Sequence, residues 1–219
     1  GGGIFNNGGT LNIDATTEII NNQADGTSGS GGGLHSNGGA VVITGTLISG
    51  NQAIRAGGGV EISGGTFTMT DATLDGNDVG IALGANPGNG GGLHITGAAN
   101  SIISGGTVSN NVAALEGGGL WNGTGTMTVT NTSVTGNDAQ GGAAADDGGG
   151  GIFNNGGSLI VDGTSTITGN TATGALGSGG GILTLGGTLT VDNITISGNT
   201  ANRAGGGIEI NGGAGYTFT

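Results

Sequence analysis

A run of three glycines followed by an aliphatic residue recurs along the whole chain, at Ile4, Leu34, Val60, Leu93, Leu120, Ile152, Ile182 and Ile208, spaced by 30, 26, 33, 27, 32, 30 and 26 residues. A period of this size marks a solenoid, because a unit so short cannot bury its own apolar face and must stack on its neighbours. One complete unit, Gly179 to Ala204, reads GGGILTLGGTLTVDNITISGNTANRA. Its apolar residues alternate with polar ones at Ile182–Leu185, Thr188–Asp192 and Thr195–Ser197, the period-2 pattern of half-buried strands. Turn residues separate the runs: Gly186-Gly187, Asp192-Asn193 and Gly198-Asn199. No window shows the spacing of an amphipathic helix, and helical glycine costs roughly 1 kcal/mol per residue. The expected fold is all-β: a right-handed parallel β-helix of about seven coils of 26–33 residues, with three strands per coil.

Aligning the units gives columns. Ile19, Ile48, Leu74, Val108, Val134, Ile167 and Ile196 share one slot. Leu11 and Ile13, Val41 and Ile43, Phe67 and Met69, Met127 and Val129, and Leu159 and Val161 match Leu189 and Val191. These are expected to form inward ladders, each side chain contributing roughly 1.5–3 kcal/mol when buried. A second kind of column is polar: Asn22, Asn51, Asn77, Asn111, Asn137, Asn170 and Asn199, followed two residues later by Ala or, at Val79, Val. A corner Asn can bond the coil above and the coil below, so this column reads as structural.

With 59 Gly, one Pro and no Gly-X-Y period, the composition is not that of collagen, and the regular aliphatics argue against disorder. No break interrupts the repeat, so residues 1–219 are read as a single elongated domain, on the order of 35 Å long at about 4.8 Å per coil. The net charge of −12, with Arg55 and Arg203 the only basic side chains besides two His, speaks against nucleic acid and anionic membranes as partners. No apolar run approaches the about 20 residues of a membrane helix. The chain opens directly on a triplet and stops at Tyr216–Thr219, within an expected second strand. A segment of a longer solenoid, or a protomer stacking end to end into a filament, is therefore anticipated. Connections of 6, 3, 10, 3, 9, 6 and 3 residues lie between each Ala slot and the next triplet, the longest being Gly80–Asn89 and Gln140–Gly148. All the length variation falls at this corner, a pattern that in repeat proteins often marks a binding face.

The pattern GGGI-x-N-x-GG-T-L-x-V-x-x-x-T-I-x-GN-x-A, with GGGIFNN at both Gly1–Asn7 and Gly149–Asn155, resembles the Gly-rich β-helix repeats of bacterial secreted and surface proteins in the pectate-lyase-like superfamily. It is more distantly similar to the repeats of chlamydial polymorphic outer-membrane proteins. The resemblance implies a right-handed solenoid displayed outside the cell, used for adhesion or as a surface fibre.

Candidate chemistry is sparse. Carbohydrate-active β-helices need clustered carboxylates with Ca²⁺ or cationic side chains. Here Arg55 and Arg203 lie five coils apart. Asp71, Asp75 and Asp78 form one acidic group, at an ordinary turn of the repeat, and Asp146-Asp147 a second. His35 and His94 share a slot two coils apart, about 10 Å, too far for joint ligation. No catalytic residue, metal or cofactor is expected. The slot after each triplet's aliphatic residue points away from the core and holds Phe5, His35, Glu61, His94, Trp121, Phe153, Leu183 and Glu209. It is either an exposed contact strip for another rod or for sugar rings, with Phe5, His35, His94, Trp121 and Phe153 as contacts, or a row that the loops cover. Outward T-x-[ST] pairs such as Thr107/Ser109 and Thr166/Thr168 form a hydroxyl array similar to that of ice-binding solenoids, although Thr is also an ordinary strand former. The function expected is a non-catalytic extracellular or cell-surface structural solenoid, a fibre subunit or adhesin shaft that self-associates end to end or laterally. The alternatives are a carbohydrate-binding or carbohydrate-cleaving β-helix, with surface glycans as partners, and an ice-binding solenoid.

Overall fold

Alternation in each short run puts every second side chain on one side of the chain, and stacking turns those sides into continuous columns. The computed structural model describes residues 1–80, 87–97, 99–141 and 147–219. Their strands form four parallel sheets, each joining a strand to its equivalents one coil before and after. The first sheet has eight strands, from Ile4–Asn6 to Ile208–Asn211, and the second eight, from Leu11–Ile13 to Gly215–Phe218. The third has seven, from Glu18–Ile20 to Thr195–Ser197. The fold is thus the expected parallel β-solenoid of about seven coils.

One detail differs from the sequence reading. Each coil carries a fourth strand of two residues at the corner after the Asn, from Gln23–Ala24 to Thr200–Ala201, giving a fourth sheet of seven strands. Two residues are too few to show a period, so this strand reads in the sequence only as the small-residue column. Ala24, Ala53, Val79 and Ala113 form its buried inner side.

The aliphatic columns of the first three sheets merge into one core. Leu34, Ile48, Leu74, Leu93, Leu120 and Ile182 are fully buried in it. The fourth coil departs from the ladder: its second-sheet strand is Asn100–Ser104, with Ser101 in register between Phe67 and Met127. Ser101 is buried, and its Oγ reaches the carbonyl of Thr126 at 3.4 Å. Two large neighbours in the column accommodate the small residue between them.

The asparagine column is continuous. The Asn51 Nδ2 donates to Asn77 Oδ1 at 3.0 Å and back to the Ile19 carbonyl at 2.8 Å, and the backbone N–H of Asn51 also donates to Asn77 Oδ1. The same bonds recur at Asn77, Asn111, Asn137 and Asn170, and Asn22 enters through Asn51 Oδ1. At the far end Asn199 donates to the Ile167 carbonyl. Both amide protons and the carbonyl of each inner residue are satisfied, which is what makes full burial of Asn51, Asn77, Asn111, Asn137 and Asn170 tolerable.

The third glycine of the triplet leaves room for this column. Gly117 has φ +66°, and a Cβ on Gly119 would sit 2.6 Å from the Gly151 carbonyl oxygen and 3.1 Å from Cγ of Asn137. The third glycine of the triplet is therefore the surface on which the asparagine packs.

A second polar column lies at the turn from the first sheet to the second. Asn122 Nδ2 donates to Asn154 Oδ1 at 2.8 Å, Asn154 Nδ2 to Thr184 Oγ1 at 2.9 Å, and Asn6 Nδ2 to Ser36 Oγ at 3.0 Å. Ile62 and Ile95 interrupt it. Asn154 Oδ1 accepts from Asn122 on the coil before, whereas Asn122 itself follows Ile95, which has no donor to offer, and its buried Oδ1 has no partner among the described residues.

Candidate functional site

The ionisable and aromatic side chains converge on the outer side of the first sheet, in the slot after each triplet's aliphatic residue. Strand pairing places Phe5 against His35, His35 against Glu61, Glu61 against His94, His94 against Trp121, and Trp121 against Phe153. The slot does face away from the main core, but its middle is not a surface strip. Relative exposure is 57 % at Phe5, yet 0 % at Glu61, 3 % at His94, 7 % at Trp121 and 0 % at Phe153. His35 is half-buried.

The cover is the chain's own return to the sheet. From the second triplet on, the first glycine lies in the left-handed region and turns the backbone back over the slot residue four positions later. A Cβ on Gly90 would lie 2.6 Å from the Cβ of His94, and one on Gly149 would lie 2.8 Å from that of Phe153. Residues just before the triplets stack in turn, through bridges Ser30 to Ala56, Ala56 to Asn89, and Gly148 to Ser178. Of the two readings of this strip, contact face or covered row, its middle is the covered row: a second, smaller core with Trp121, Phe153 and Leu183 packed together. Among the five contact residues expected there, Phe5 alone is exposed.

Within this enclosure Glu61 is the hub. Its Oε2 lies 2.7 Å from His94 Nδ1, and its Oε1 accepts from Thr96 Oγ1 at 2.7 Å and Ser63 Oγ at 3.3 Å, with Arg55 Nη2 3.6 Å away. Ser63 Oγ in turn meets His35 Nε2 at 3.0 Å. Burial pushes the Glu61 carboxyl up, but His94 beside it, the bonds from His94 and Thr96, and Arg55 together hold it below the usual range. Burial lowers His35, against a smaller opposing pull from Glu61. The His94 ring stacks on Trp121 at a centroid distance of 4.2 Å, and Trp121 on Phe153 at 6.1 Å.

Trp121 Nε1 donates to Glu116 Oε2, which also accepts from Asn89 Nδ2 at 2.9 Å. Burial pushes the Glu116 carboxyl up, opposed by the bond from Trp121 and reinforced by Asp147.

The two arginines, which lie five coils apart, each close an equivalent clamp. Arg55 Nε donates to Ser30 Oγ at 2.8 Å and its Nη2 approaches Glu61; Arg203 Nε donates to Ser178 Oγ at 2.7 Å and its Nη2 to Glu209 Oε1 at 2.6 Å. The signal was present in the sequence as RAGGGVE at 55–61 and RAGGGIE at 203–209. Each clamp ties a three-residue connection to the coil before it and to its own first-sheet strand.

Asp75, read as part of an acidic group, accepts from Ser109 Oγ at 2.7 Å and Asn110 Nδ2 at 2.8 Å. Burial raises the neighbouring Asp78 carboxyl. Among the described residues no three His, Asp or Glu side chains come together as a metal would require. Asp146 and much of both long connections lie outside the described residues. The hydroxyl array of the third sheet is in register, Thr107, Ser133, Thr166 and Thr195 forming one row and Ser109, Thr135, Thr168 and Ser197 the next.

Together these features define the class of protein: a parallel β-solenoid whose polar and ionisable side chains are bonded mainly from coil to coil. Comparison of the chain with family models, with curated proteins and with solved structures finds no match to carry the identification further.

Proposed function

We propose that this chain is a non-catalytic structural solenoid, a stiff shaft of an extracellular fibre or adhesin. The observation that carries this reading is the asparagine column, which joins all seven coils through side-chain bonds added to those of the sheets. A chain in which each layer is held by the next resists bending and local opening. The Glu61 cluster serves the same end: its hydroxyl, imidazole and carboxylate groups are satisfied by one another beneath backbone, where they brace three coils. Coil-to-coil continuation, within a longer chain or between copies, uses these same bonds and is the self-association the reading entails.

The test is electron microscopy of the purified chain, combined with force extension of a tandem fusion. Straight rods that lengthen in coil-sized steps at high force support a shaft. A flexible or collapsed particle, or turnover of a polysaccharide by the purified chain, overturns it.

A further inference from the structure

The outer face of the second sheet carries two uncharged rows over its later coils, with Asp162 in the third row. Its first outward row holds Asn100, Thr126, Ser158 and Thr188 on successive coils, and its middle row Ile102, Thr128, Ile160 and Thr190. Neither row carries a charge, in a chain of net charge −12. Along the first row runs an open groove of about 380 Å³, walled by Asn100, Thr124, Thr126, Ser158 and Thr188. It crosses four coils, roughly 14 Å at about 4.8 Å per step. Its floor is backbone: a Cβ on Gly157 would meet the carbonyl oxygens of Gly123 and Gly125 at 2.2 and 2.4 Å, so no side chain can be carried there.

The walls present unused hydrogen-bonding groups. Thr188 Oγ1 donates to Ser158 Oγ at 3.0 Å, and Asn100 Oδ1 accepts weakly from the Thr126 N–H at 3.4 Å. The hydroxyls of Thr124 and Thr126 and the amide nitrogen of Asn100 have no partner among the described residues. Beside them Ile102 is 49 % exposed and offers an apolar ledge. A ligand matching this groove is long, straight and uncharged, with hydroxyls along one edge and C–H groups on its face. An anionic chain would meet the net negative field, and a cation would find no carboxylate in the groove.

We propose that this groove binds a neutral, unbranched polysaccharide lying parallel to the solenoid axis. Hydroxyls of the sugar pair with Asn100, Thr124, Thr126 and Ser158, while its C–H face rests on Ile102 and Ile160. The site does not depend on the shaft reading.

Native gel electrophoresis of the full chain through gels containing hydroxyethyl cellulose, glucomannan, mixed-linkage β-glucan or polygalacturonate tests this. Retardation by at least one neutral polymer and none by polygalacturonate is expected. The pair Thr126→Gln and Ser158→Gln, which fills the groove without adding charge, should weaken retardation at least tenfold. Thr166→Gln with Thr168→Gln on the third sheet should leave it unchanged, and circular dichroism checks that both pairs keep the β signal. A third variant, Asn100→Ala, removes donor groups without adding bulk and should weaken retardation several-fold. Absence of retardation by every neutral polymer, retention unaffected by the groove variants, or equal loss in the third-sheet pair overturns the proposal. So does self-association that the groove pair abolishes while no polymer binds, because the face would then mate copies of the chain.

Discussion

Trp121 Nε1 donates to Glu116 Oε2 at 3.0 Å, across the glycine triplet that separates the two residues. Burial raises this carboxyl, so its charged form is the less favourable one in the folded state. A raised folded pKa means stability that is present below the unfolded value and lost as pH rises through the folded value. Glu116→Gln keeps an oxygen for both Trp121 and Asn89 and removes the charge. The variant should be more stable than the parent at neutral pH, with the difference closing as pH falls toward the ordinary Glu value of 4.5. Trp121 is the chain's single tryptophan, so its emission should show a titration step above that value in the parent and none in the variant.

Asn111 stands in the middle of its column, accepting from the N–H and Nδ2 of Asn77 and donating to Asn137 Oδ1 and the Leu74 carbonyl. Asn111→Ala takes the acceptor from the N–H and Nδ2 of Asn77 and the donor from the Leu74 carbonyl, each costing about 1–3 kcal/mol, while Asn137 Oδ1 keeps the backbone N–H of residue 111. A loss of about 3 kcal/mol or more by denaturant unfolding is expected. Asn22→Ala, at a partly exposed position, should cost about 1 kcal/mol. Equal losses at the two positions would mean that the column is not the spine of the fold.

The inward ladders and the asparagine column were legible because like stands over like: Ile19 to Ile196, and Asn22 to Asn199, repeat one chemistry in every coil. What escaped was heterogeneous. The column through Ser36, Asn122, Asn154 and Thr184 changes residue type at almost every step and is broken by Ile62 and Ile95. Ser101 sits in an inward slot where alternation predicts an aliphatic. The slot of Trp121 and Phe153 was read correctly as facing away from the main core, but period-2 alternation separates only two sides of a strand. It cannot tell solvent from a second enclosure made by a turning glycine.

Glycines in this chain are not equivalent, and two of them separate the causes. At Gly119 the space for a Cβ is taken by the Gly151 carbonyl and by Asn137, and neither is free to move. Gly119→Ala should destabilise by several kcal/mol or prevent folding, consistent with the cost of overpacking a rigid site. Gly156 has φ +82° with nothing within 4 Å of an added Cβ. Gly156→Ala should therefore cost only the backbone term, about 1 kcal/mol. Thermal unfolding followed by circular dichroism distinguishes them, and similar losses would contradict the crowding assigned to the triplet.

Glu61 is the counterpart of Glu116, and the two carboxylates should push the acid limb of the stability curve in opposite directions. The Glu61 pKa is held below its ordinary value of 4.5, burial being outweighed by His94, Thr96 and Arg55. A depressed folded pKa gives stability that is complete above the unfolded value and lost as pH falls through the folded one. Glu61→Gln should cost about 3 kcal/mol at neutral pH, because the His94 and Arg55 groups lose their charged partner. Below pH 4.5 the variant should lose stability less steeply than the parent. Urea midpoints measured from pH 7 to pH 3 for the parent, Glu61→Gln and Glu116→Gln give the comparison directly. The gap between parent and Glu61→Gln should narrow in acid from one side, and that between parent and Glu116→Gln from the other. Parallel curves would show that neither carboxylate titrates differently in the folded chain, and the clamp that joins Arg55, Glu61 and His94 would then contribute packing alone.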